Sequence, residues 1–209
     1  MNRTNIDWSN PQEGFELGYT WNPAVGCKHN CPYCYAKRIN DRYHIIPDFY
    51  DPKFFEERLD QPGKVKKPST VFVVSMGDLF GQWVPGEWID RVLDVIIQYD
   101  HHRYMLLTKN PKRYLEFVIP KNCWIGTSLD YARHQHRIKW LEQYNNSKVK
   151  KFVSVEPILS CMHQVDFSGV DLVIVGAMTG VRATRPQKDW IYSIKHHNIS
   201  YKENIKKYL

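Results

Sequence analysis

Six runs rich in apolar and β-branched residues recur along the chain, at 16–22, 70–76, 103–109, 123–129, 151–157 and 171–177. In several of them apolar residues occupy successive positions, as in Val71-Phe72-Val73-Val74 and Leu172-Val173-Ile174-Val175. A strand solvated on one face alternates; a run apolar at every position is buried on both, as in a parallel sheet covered by helices. Helical spacing fills the intervals. After Pro85, Trp88, Ile89, Val92, Leu93 and Ile96 form one apolar stripe, with Glu87, Asp90, Arg91 and Asp94 on the other side. The spacing predicts further helices after Asn110-Pro111, over 131–144 with Arg133, His134, Arg137 and Lys139 outward, and over 189–197. Strand-then-helix repetition implies right-handed crossovers and a parallel sheet. The expected fold is therefore α/β: a partial (β/α)6 TIM-type barrel, as a single domain over 1–209, since 209 residues suit one sizeable core better than two.

Hydrophobic residues at 43% and charged residues at 24% describe a folded chain. No run is long enough to cross a bilayer, and the polar start, Met1 to Asn10, lacks the apolar stretch of a signal peptide, so a cytoplasmic location is expected. The formal charge is +7, and lysines cluster at 64–67, 148–151 and 202–207. Any one cluster reads as solvated surface; together they favour a polyanionic partner, nucleic acid. Segments 46–68 and 179–187 read as loops, and the pairs His101-His102 and His196-His197 as surface residues. The segment from Ile199 is open between strand and helix.

In barrels of this kind reactive groups gather at the carboxyl ends of the strands. Those ends are polar here: Trp21-Asn22, Ser75 to Asp78, Thr108-Lys109, Thr127-Ser128, Ser154 with Glu156, and Gly176. The loop after the first strand carries Cys27, Cys31 and Cys34 in C-x3-C-x2-C spacing, three of five cysteines within eight positions, a layout suited to metal and not to a disulfide framework. Three thiolates can take three corners of an iron-sulfur cubane and leave the fourth iron open. The competing reading is a Cys3His zinc site completed by His29 or His44.

These residues resemble the radical S-adenosylmethionine superfamily, whose signature is C-x3-C-x2-C with an aromatic, here Tyr33, before the last cysteine. Five ordered blocks, Tyr19-Thr20-Trp21-Asn22-Pro23, Ser75 to Phe80, Leu107-Thr108-Lys109, Phe152 to Pro157 and Val173 to Gly176, are similar to a compact family known mainly from bacteriophage genomes. The resemblance implies a [4Fe-4S] cluster on Cys27, Cys31 and Cys34, S-adenosylmethionine chelated at the open iron, and its reductive cleavage to a 5'-deoxyadenosyl radical with electrons from an external donor. It implies that Gly77 and Asp78, with Ser75 before them, meet the methionine amino group. Tyr33 would offer backbone contacts to adenine, Ser128 and Lys109 would meet the ribose or carboxylate, and Gly176 would let the backbone approach the adenine. Ser-Met-Gly-Asp stands where the superfamily has Gly-Gly-Glu.

Glu156 is expected either to bind S-adenosylmethionine or substrate or to form a buried ion pair with Lys109; these two residues are the catalytic candidates. Trp21, Asn22, Arg182 and Arg185 are the substrate-binding candidates, the arginines for phosphate or carboxylate. The expected reaction modifies or rearranges a base or base adduct in phage DNA, a hypermodified thymine foremost, in the host cytoplasm. The alternatives are a radical lyase that repairs a DNA lesion and a non-catalytic iron-sulfur binding module.

Overall fold

A computed structural model of the chain describes residues 1–10, 14–180 and 183–209. In chain order, two short strands, β1 (Asn2–Arg3) and β2 (Ser9–Asn10), precede the long β3 (Phe15–Trp21). A two-stranded ribbon of β4 (Ala24–Val25) and β5 (Lys53–Phe54) brackets helix α1 (Tyr35–Tyr43). Then come β6 (Thr70–Val73), α2 (Gly86–Gln98), β7 (Arg103–Thr108), β8 (Cys123–Ser128), α3 (His136–Glu142), β9 (Lys150–Val155) and β10 (Leu172–Val175). The chain ends with α4 (Lys188–Tyr192), β11 (Ile199–Tyr201) and α5 (Glu203–Lys206). The order across the sheet is β1-β3-β6-β7-β8-β9-β10-β11, with β2 also on β3.

Every pairing from β3 to β11 is parallel, so the six expected strands form the expected partial barrel and β11 extends it by one. The C-terminal segment is thus both strand and helix. Alternation along each strand separates two cores. Val71, Val73, Leu106, Ile125, Val153, Val155 and Val173 pack outward against Ile89, Val92, Ile96, Ile138, Leu141 and Ile191 of the helices. Leu17, Phe72, Met105, Trp124, Phe152 and Ile174 fill the concave side. The apolar stripe on α2 is buried as its spacing predicts, because a single face of that helix meets the sheet.

The segment expected as one helix over 131–144 divides into a 3-10 turn and α3. His102, expected at the surface, is buried with Nε2 on the Pro62 carbonyl at 3.1 Å, because a 3-10 helix over Gln61–Lys64 packs against it.

The N-terminal segment crosses the seam that a partial barrel leaves open. β1 and β2 run antiparallel to β3 on its free edge. At the opposite edge the Ser200 hydroxyl donates to the Ser9 carbonyl at 2.6 Å, and the Glu203 N–H donates to Asp7 at 2.5 Å. Between them Trp8 turns into the concave core, 4.5 Å from the Phe72 ring centroid.

Candidate active site at the strand ends

The carboxyl ends of the parallel strands enclose a cavity of about 570 Å3, floored by Trp8, Phe72 and Leu107 and walled by the loops. Its wall takes in all three cysteines of the motif together with Tyr33, Ser75, Gly77, Asp78, Lys109, Ser128 and Glu156. Alternation explains why: Leu107, Ser128, Ser154 and Glu156 sit on the face that, lower down, carries Met105, Trp124 and Phe152.

The cysteine loop leaves β4 and closes on α1. Cys34 caps that helix, its Sγ accepting the Lys37 N–H at 3.3 Å. The Cys27 N–H donates to the Phe49 carbonyl at 2.8 Å, which ties the loop to the segment after α1. All three thiols are free. Burial, then the charge of Asp78, pushes the Cys27 thiol up; burial likewise raises Cys34, and Cys31 raises both. Thiols that repel one another as thiolates in one half-buried wall suit a cationic iron-sulfur cluster, which relieves that repulsion. Neither histidine completes a Cys3His zinc set. His29 holds Asp78 through Nε2 at 2.7 Å, and His44 stands exposed in the left-handed conformation at the far end of α1. Among the described residues no three His, Cys, Asp or Glu side chains converge as a single metal ion would require.

The turn after β6 faces the loop. Val74, a β-branched residue, adopts φ +55°, a strained conformation that starts the turn. Asn22 secures it: its Oδ1 accepts from the Met76 N–H at 3.0 Å and from the Ser75 hydroxyl at 3.2 Å. Tyr35, missed in the sequence, exposes its ring yet donates its hydroxyl to the Ser75 carbonyl at 2.5 Å. Asp78 lies beneath, accepting from His29 and from the backbone N–H groups of Phe80 at 3.1 Å and Lys109 at 3.0 Å.

Two substrate candidates, Trp21 and Asn22, are corrected. Trp21 is fully buried, its indole N–H bonded to the Arg58 carbonyl at 2.7 Å, because the last residue of β3 points to the outer core. Asn22 shapes the Ser75 turn and does not line the cavity. Arg185 is exposed and outside the cavity wall, and Arg182 lies outside the described residues.

Glu156 and Lys109 both reach the cavity, but not as a pair. Glu156 meets Lys202, at 2.5 Å from Oε1, since β11 brings that lysine alongside β10; Lys109 pairs with Asp130 at 3.3 Å. Gly176 is not part of the cavity wall: a Cβ there would stand 3.0 Å from both Glu156 and Lys202, so the glycine makes room for their ion pair. The sequence also missed Asp130. Tyr33 donates its hydroxyl to Asp130, and His134 and Arg137, expected to point outward, turn in to the same carboxylate at 2.6 and 3.5 Å.

The lysine clusters divide. Those at 64–67 and 148–151 precede or begin β6 and β9, at the amino ends of the strands and away from the cavity, so they do not line a path into it. Lys202 of the third cluster lines it.

The profile of a family described as "Protein of unknown function (DUF5131)" matches residues 3–204. No curated protein matches the sequence. Two solved structures share the fold: spore photoproduct lyase complexed with dinucleoside spore photoproduct, at TM-score 0.54 and 12% identity, and a cysteine-to-serine mutant of spore photoproduct lyase, at TM-score 0.53 and 13% identity. Each likeness covers 84% of this chain and 59% of the other, so the chain spans about three fifths of the lyase length.

Proposed function

The chain belongs to the DUF5131 family, and we propose that it is a radical S-adenosylmethionine enzyme holding one [4Fe-4S] cluster on Cys27, Cys31 and Cys34. The observation that carries this reading is that three free thiols, on the loop after the first parallel strand, share one cavity with the polar strand ends. When bound, the cluster and S-adenosylmethionine supply radical hydrogen-abstraction chemistry, and the protein supplies position and charge.

Gly77 and Ser75 line the side of the cavity formed by the turn after β6, the side that would receive an amino group. Asp78 already accepts three hydrogen bonds. Its charge favours a cationic group nearby, while His29 and Lys109 keep it fixed. Lys109 and Ser128 offer a cation and a hydroxyl to a carboxylate. Glu156, held by Lys202, presents an oriented carboxylate beside the N-terminal segment that straps the barrel seam, 3.5 Å from the Trp8 indole nitrogen. The apolar floor of Trp8, Phe72 and Leu107 suits a flat ring, and the N-terminal strap leaves the rim as the way in.

The substrate reading is a base or base adduct of nucleic acid, such as a hypermodified thymine in phage DNA. A net charge of +7 and an apolar cavity floor support it. The base would have to leave the duplex to reach the cavity. The likeness to a lyase complexed with a dinucleoside photoproduct favours a second reading, repair of a DNA lesion. The two part on substrate: a modifying enzyme acts on a modified base and leaves a thymine photoproduct intact.

The test is anaerobic reconstitution with iron and sulfide, reduction with S-adenosylmethionine, and assay for 5'-deoxyadenosine in wild type and Cys31→Ala. Cysteine-dependent product is expected. A bound cluster without cleavage would leave a binding module, and stoichiometric zinc without iron would overturn the reading.

A further inference from the structure

Asp130 lies two residues beyond β8, 5% exposed, yet it is the most heavily engaged carboxylate near the cavity. Its Oδ2 takes the Tyr33 hydroxyl and the Lys109 ammonium, and its Oδ1 takes His134 Nδ1 and the Arg137 guanidinium. Burial works against its charge, but Lys109 and the hydrogen bonds from Tyr33 and His134 hold the carboxyl well below the usual range. Two basic side chains, Lys109 and Arg137, therefore face one carboxylate.

Only one of these cations borders the cavity. Arg137 is turned away, donating to the Ser128 carbonyl at 2.9 Å, whereas Lys109 lines the wall. A lysine ammonium carries three donors. Among the described residues, Lys109 Nζ gives one to the Tyr33 hydroxyl at 2.5 Å and one to Asp130 at 3.3 Å. The third is left for the cavity. A flexible lysine at an open rim would lose considerable side-chain entropy on meeting a ligand; a lysine already held by two oxygens loses less.

We propose that Asp130 is a positioning residue: acting with Tyr33, it fixes the Lys109 ammonium so that its remaining N–H meets the carboxylate of bound S-adenosylmethionine. This rests on the radical S-adenosylmethionine reading above. Tyr33 sits one residue before Cys34, so the same carboxylate also ties the cysteine loop to the strand end that presents Lys109. Cluster loop and carboxylate donor are then held at one spacing.

The experiment uses reconstituted protein and calorimetric binding of two probes, S-adenosylmethionine and its decarboxylated form, which lacks only the carboxylate. Asp130→Asn should weaken the first about tenfold and the second less than about twofold, the size of one charge-assisted hydrogen bond. Asp130→Asn combined with Lys109→Met should bind no more weakly than Lys109→Met alone, because the two act as a unit. Iron per chain should stay at the wild-type level. Equal losses for both probes, additive losses in the double variant, or a fall in iron content that accounts for the lost affinity would each overturn the proposal. So would a loss of oligonucleotide binding with S-adenosylmethionine affinity intact, which would assign Lys109 to phosphate. Should Asp130→Asn not fold, Tyr33→Phe removes one hydroxyl and should still reduce the preference for the carboxylate-bearing probe by about threefold. A wild type that holds iron but binds neither probe would refute the functional reading itself, an outcome distinct from variants that bind as wild type does.

Discussion

Gly77 and Gly26 are packed backbone to backbone. A Cβ on Gly77 would stand 2.6 Å from the Gly26 carbonyl oxygen, the two residues form a parallel bridge, and the Gly26 N–H donates to the Met76 carbonyl at 3.0 Å. Gly26 itself has φ +111°, and a Cβ there would come 2.7 Å from Pro52. The cysteine loop is thus clasped to the turn after β6 at a spacing only glycine permits.

Gly77→Ala should accordingly cost about 1–3 kcal/mol, the usual penalty for forcing a methyl into packed structure. Because the displaced atoms belong to the loop that carries Cys27, iron retained per chain after desalting should fall as well. Thermal unfolding and iron analysis on the same sample check both. A loss of stability with iron fully retained would show that the clasp does not set the loop.

The charge state of Asp130 gives a pH signature. Its carboxyl is depressed in the folded protein, while in the unfolded chain it titrates near the usual value of about 3.9. The stability it contributes is fully present above that value and is lost as pH falls toward the folded one. The difference in unfolding free energy between wild type and Asp130→Asn should therefore be present at about pH 5 and shrink below about pH 4. Urea titrations of both proteins at stepped pH measure it; a gap that does not change on acidification would refute the charge assignment.

The strands were legible because burial on both faces leaves apolar residues at consecutive positions, as at 71–74 and 172–175. The cysteines were legible because ligand spacing in one loop is a local property. Which strand-end residues face the cavity was not, since it depends on register: Trp21 ends β3 and Ser128 ends β8, yet one enters the outer core and the other the cavity. Asp130, His134 and Arg137 were hidden for a related reason. Helical spacing placed the last two on a polar face, and only the break between the 3-10 turn and α3 swings them onto a neighbouring carboxylate. The signal available was Asp130 with His134 four residues on, a spacing too common to single out. Lys202 looked like one of a surface cluster because nothing local announces that β11 would lie beside β10.

The distribution of lysines separates charge from catalysis. Lys66 and Lys67 are exposed on the segment before β6, at the end of the sheet opposite the cavity. Lys66→Glu with Lys67→Glu should leave 5'-deoxyadenosine formation and S-adenosylmethionine affinity within about twofold of wild type, as expected for solvated surface charges screened over that distance. A loss of cleavage activity in the folded double variant would mean that the amino-end face communicates with the cavity.

Trp8 offers the sharpest test of how the barrel is completed. It belongs to the strap and not to the parallel sheet, yet it is 3% exposed, lies 4.5 Å from Phe72 and 5.6 Å from Phe152 between ring centroids, and borders the cavity floor. Its indole N–H points to Glu156 at 3.5 Å, so the strap touches both the core and the Glu156–Lys202 pair. Trp8→Ala would leave a void that the rigid strands cannot close, and a buried aromatic of this size typically costs about 3–5 kcal/mol to truncate. Trp8→Phe keeps most of the packing and should cost much less, while losing the contact with Glu156. Chemical unfolding of the two variants gives the energies. Iron content should survive in both near 10 °C, because the cysteine loop is held by Gly77, Phe49 and α1 and not by the strap. If Trp8→Ala lost iron while remaining folded, the strap would be part of the cluster site and not only the closure of the barrel.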